Sequence, residues 1–126
     1  MKNKILGLMI LLGLIIAGTV IVDSALGILP LWYHYEYPQS GTLAANGGSY
    51  TSPTYQYDLR WETWLEEADP YCSLRIGWVQ GEIFTWKSRY PGQCYGTNGS
   101  GSMKGRWLNM HAYSVWFRGA VDCYID

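Results

Sequence analysis

The chain has only two histidines and three cysteines, and no excess of either charge: nine Lys and Arg stand against ten Asp and Glu, a formal charge of −1. Each shortage excludes something. Balanced charge argues against nucleic acid, which selects a strongly basic stripe. His34 and His111 stand at no short spacing from a cysteine, so no zinc motif is present, and neither a metal nor any other cofactor is expected. No Gly-x-Ser-x-Gly elbow occurs. Glu66 and Glu67, adjacent on a strand, would point to opposite faces and could not act as an acid/base pair on one substrate. Cys94 with His111 is the one nucleophile and base pairing left, and only composition suggests it. The chain is therefore expected not to be an enzyme.

Aliphatic residues are sparse beyond Leu31, whereas all seven Trp, all eleven Tyr and both Phe follow it. Aromatic rings must then supply much of the core. Tyr and Trp also carry polar tips that seek partners or water, so several should be displayed at the surface, as suits a protein that makes contacts.

The N-terminus is different in kind. Lys2 and Lys4 precede an uncharged apolar run from Ile5 to Val22, closed by Asp23. This pattern predicts a hydrophobic helix that targets a membrane, either a signal peptide cleaved after Ala25-Leu26-Gly27 or a retained anchor. Residues 1–27 are thus assigned to the leader and 28–126 to one domain, secreted or held on the extracytoplasmic face, touching membrane only through an uncleaved leader. Roughly 100 residues suffice for a single core.

Cys72, Cys94 and Cys123 all lie in the exported part, where oxidation is permitted. Three cysteines allow three single bridges and leave one thiol over; strand-like surroundings favour Cys72 with Cys94 or Cys123.

Alternation dominates the rest. Leu31, Tyr33, Tyr35 and Tyr37 share one face of an extended stretch bracketed by Pro30 and Pro38, the mark of an edge strand. Gln39 to Pro53 reads as a loop or flexible hairpin around Asn46-Gly47-Gly48. Tyr55 to Glu66 alternates as a half-buried strand, favoured over a helix stopped by Pro70 because Glu66 and Glu67 would oppose the helix dipole. Cys72 to Val79 and Glu82 to Ser88 form a hairpin about Gln80-Gly81; Arg89 to Ser102 reads as a second long loop; two further strands close the chain. The fold class predicted is all-β, a small antiparallel sandwich or barrel of about six strands.

Three surfaces are candidates. Asp58, Arg60, Glu62, Trp64 and Glu66 form the polar face of one strand, where an indole among carboxylates and a guanidinium could stack on a sugar while the acids accept its hydroxyls. The tyrosine strand from Leu31 to Tyr37 could complete a neighbour's sheet. Lys87, Arg89, Lys104 and Arg106 with Trp107 could meet an anionic envelope. The leading expectation is a secreted or tethered interaction module whose Trp and Tyr contact a glycan or a protein. The alternatives are a self-assembling surface or filament subunit and a secreted toxin.

Overall fold

The structure, a computed structural model, describes residues 33–125, so the leader and Leu31 lie outside it. Eight strands follow one another, not about six: β1 (Tyr33–Leu43), β2 (Gly48–Tyr57), β3 (Arg60–Asp69), β4 (Leu74–Gln80), β5 (Ile83–Arg89), β6 (Gln93–Asn98), β7 (Gly101–Asn109) and β8 (Val115–Ile125). They form two four-stranded antiparallel sheets, β1-β8-β3-β6 and β2-β7-β4-β5. Pairing is nested, first with eighth, second with seventh, third with sixth and fourth with fifth, which is the strand order of a jelly roll.

The two extra strands come from segments read as loops. β2 is rich in Ser, Thr and Tyr, with Pro53 inside a register shift between Thr51 and Thr54 where no ladder bond is required. β6 is short, Gly-containing and half-buried. Both lie at sheet edges, where backbone pairing on one side suffices and little apolar alternation is demanded. The Asn46-Gly47 turn is where the sequence puts it, with positive φ at both residues, 59° and 110°. β1 is an edge strand as expected, and it pairs along its length with β8 of its own chain, from Tyr33 opposite Ile125 to Leu43 opposite Val115.

Aromatics build the interior. Trp61, Trp107 and Phe117 are fully buried among Leu43, Leu65, Ile76, Met103 and Val115. Trp107 stacks on Phe117 with centroids 5.0 Å apart, and Tyr50 meets both rings edge-on. A buried indole N–H needs an acceptor, and both find one. Trp107 Nε1 donates across the sandwich to Trp64 O at 3.0 Å, while Trp61 Nε1 donates to Thr63 Oγ1 at 2.8 Å, which donates in turn to Gly77 O on the other sheet. Gly119 makes room for the Trp107 ring: a Cβ there would stand 2.9 Å from Trp107 Nε1 and 2.3 Å from Trp64 O.

The expected disulfide is absent; Cys72, Cys94 and Cys123 are all free thiols. Pairing explains why. Cys123 points into the core opposite Trp61, whereas Cys94 lies opposite Trp64 on the outer face, three residues or about 10 Å further along β3. Cys72 lies beyond the end of β3, and a bridge needs Cα atoms within about 7 Å. Burial pushes the Cys123 thiol up to about 12 and also raises those of Cys72 and Cys94, so none is an activated nucleophile.

Candidate functional site

The connections β1–β2, β3–β4, β5–β6 and β7–β8 emerge at one end of the sandwich. Residues 44–47, 70–73, 90–92 and 110–114, which form them, include no Asp, Glu, Lys or Arg. They do include Tyr71, Tyr90, Met110 and Tyr113, exposed by 68, 51, 51 and 41%, and Trp116 at 38% lies at the adjoining start of β8. An aromatic in a turn has no core face to join, so its ring stays in water. Tyr71 and Tyr90, from different loops, stand side by side with centroids 5.8 Å apart. His111 stacks on Tyr113 at 5.0 Å and is fixed in turn through Nε2 to Ser73 O at 2.7 Å.

These loops are tied together from within. Asn109 is completely buried; its Nδ2 donates to Tyr113 O (2.8 Å), Ala44 O (3.2 Å) and Leu43 O (3.3 Å), and its Oδ1 accepts from His111 N (2.9 Å). Asn46 N donates to His111 O, Gly47 N to Asn109 O, and Gly92 N to Leu65 O. The β1–β2, β5–β6 and β7–β8 connections thus pair backbone groups that loops usually leave to water, and the β3–β4 connection is held through Ser73 O, which gives the tyrosines a fixed base. A cleft of about 190 Å³ between Ser73, Arg75, Ser88, Met110 and His111 adjoins it, smaller than the roughly 300–1,000 Å³ that encloses a small molecule. The end is suited to pressing against a ligand, not swallowing one.

The outer face of the β1-β8-β3-β6 sheet carries a second constellation. Glu36 on β1, Asp122 on β8 and Glu62 on β3 are direct register partners, so three carboxylates cross the sheet in one row. Glu62 accepts from Arg60 Nε (2.7 Å), Trp64 Nε1 (3.0 Å) and Tyr124 OH (3.3 Å). Asp122 is 7% exposed, its Oδ2 lies 3.1 Å from His34 Nε2, and its Oδ1 is buried without a hydrogen-bond partner. Among the described residues no three His, Cys, Asp or Glu are arranged to hold a metal ion.

The sequence-predicted residues divide accordingly. Arg60, Glu62 and Trp64 are together, but their polar groups are spent on one another and Trp64 is half-buried. Glu66 lies further along, and Asp58 sits in the β2–β3 turn. Glu66 and Glu67 do not diverge as adjacent strand residues should: a bulge between Leu65 and Glu67 turns both to Arg118, at 2.6 and 3.3 Å. The envelope cluster is broken up. Trp107 is fully buried, Lys87 and Arg89 lie over the Tyr95 ring at the open edge between β5 and β6, and Lys104 and Arg106 face outward from β7. Cys94 and His111 are not partners, since Cys94 is on the outer sheet face and His111 is bound to Ser73. Missed were His34, Glu36, Asp122 and the loop tyrosines; the turn residues beside Tyr71, Tyr90 and Tyr113 were the available signal.

Asp122 has a measurable consequence. Burial pushes its carboxyl up to about 6 from 3.8, with His34 opposing the rise and Glu36 and Glu62 adding to it. Well below pH 3.8 the group is protonated whether the chain is folded or not. Between pH 4 and 6 the unfolded chain releases the proton while the folded one keeps it, so stability falls as pH rises through that window, by on the order of 2–3 kcal/mol in all. Urea midpoints from pH 3.5 to 8 are expected to drop accordingly, and Asp122→Asn to flatten the profile. A wild-type profile that rises over the same window would contradict the assignment.

No family model, curated protein or solved structure matches the chain.

Proposed function

We propose that the domain is an exported interaction module that holds a neutral glycan against the tyrosines of its loop end. The supporting observation is the gathering of Tyr71, Tyr90, Met110 and Tyr113 on uncharged, internally bonded connections, with Trp116 exposed at the adjoining start of β8. Sugar rings offer C–H faces to aromatic rings and hydroxyls to Tyr, Ser and Asn edges, and a ligand without charge requires none from its receptor. Rigid tyrosines lose little conformational freedom on contact, which favours binding on an open surface. Export rests on the Lys2, Lys4 and Ile5 to Val22 pattern, and recovery of the chain from the cytosolic fraction would remove that half of the reading.

Tyr71→Ala, Tyr90→Ala and Tyr113→Ala are each expected to weaken binding about 3- to 10-fold on a glycan array followed by calorimetry, and the triple variant to abolish it. Trp64→Ala should leave affinity unchanged. If no saccharide binds, the ligand class is wrong; if a saccharide binds equally well to the triple variant, the surface is wrong.

A further inference from the structure

The two outer faces of the sandwich carry opposite charge. On the β1-β8-β3-β6 sheet, register places Glu36, Glu62, Glu67, Asp69 and Asp122 outward, with Glu66 turned to the same side by the bulge; only Arg60, Arg118 and His34 oppose them. On the β2-β7-β4-β5 sheet the outward cations are Arg75, Lys104 and Arg106, and no carboxylate stands on the outward positions of those four strands. Aromatic rings brace this second face. The Arg75 guanidinium lies 4.2 Å over Trp86 and that of Arg106 lies 5.2 Å over Phe84, which holds their charge in fixed positions.

We propose that copies of this chain stack head to tail, the acidic outer face around Glu66 and Glu67 of one docking on the basic outer face around Arg75 and Lys104 of the next. Each molecule carries both halves of the contact, so the interface is heterologous and grows into an open row. Opposed charge sets partner and orientation. The strands run six to eleven residues and lie about 4.8 Å apart, so the faces offer about 500–600 Å² each, or about 1,100 Å² per contact, the low end of specific interfaces. The loop end lies at right angles to the stacking axis, so a row would display many copies of it side by side, multiplying weak glycan contacts by avidity.

Sedimentation velocity of the full chain, dispersed in a nonionic detergent, tests this. At about 20 mM NaCl a concentration-dependent series of oligomers is expected, and at about 500 mM a shift of at least tenfold toward monomer. Arg75→Glu/Lys104→Glu blocks one face and Glu66→Lys/Glu67→Lys the other; each variant alone should be monomeric with an unchanged circular dichroism spectrum. Mixed one to one, they offer one native and one charge-swapped pair of complementary faces, so association at low salt should be restored. A wild-type chain that stays monomeric at low salt, variants that still associate, or a mixture that stays monomeric would each overturn the proposal. A monomer that instead binds heparin through Arg75 and Lys104 would overturn it in favour of an anionic polymer.

Discussion

Trp107→Ala is expected to cost about 3–5 kcal/mol, a large share of the roughly 5–15 kcal/mol that holds a domain of this size folded. The residue is fully buried, stacks on Phe117, meets Tyr50 edge-on and fills the space that Gly119 leaves open. Truncation opens a cavity in the middle of the sandwich and also removes the indole N–H from Trp64 O, one of the bonds that join the second sheet to the first. Urea unfolding should show a midpoint lowered by about 2 M or more. Trp107→Phe keeps a ring but loses the N–H, and should fall between wild type and Ala. A Trp107→Ala midpoint within error of wild type would mean that the indole does not bridge the sheets.

Asn109→Ala is expected to cost about 2–4 kcal/mol, more than its size suggests. It deletes two N–H donors that serve three carbonyls, and one acceptor, at a site with no exposure, leaving Leu43 O, Ala44 O and Tyr113 O without that partner. Those carbonyls belong to the end of β1 and to the β1–β2 and β7–β8 connections, so the loss should also loosen Tyr113 and weaken glycan binding. The cavity left by Trp107→Ala lies in the core between the sheets, so that variant should depress stability while its folded fraction binds normally. Equal affinity for folded Asn109→Ala and wild type would separate the staple from the binding surface.

Alternation revealed β3, the β4–β5 hairpin, β7 and β8, because central strands and those packed on a core must hide every second side chain. The reading of Tyr55 to Glu66 as one strand shows the limit: Tyr57 and Trp61 both face inward, but Leu59 is exposed at a corner where the chain passes from one sheet to the other. Periodicity survives such a corner, and pairing does not. β2 and β6 were hidden because edge strands are stabilised by backbone bonds that leave no pattern in Ser, Thr and Gly. The carboxylate row was illegible for a related reason. Glu36, Glu62 and Asp122 come from three distant segments, and only the nested register makes them neighbours. The loop end depends on topology in the same way, since which turns share an end follows from strand order.

Amide hydrogen exchange on the full chain bears most directly on the central claim, that the loop end is a built surface and not four loose connections. The amides of Asn46, Gly47, Gly92 and His111, each bonded within or between the loops and strands, should exchange as slowly as those of β8, although they lie in turns. Exchange of those four amides at the rate of an unstructured peptide, with β8 still protected, would contradict it.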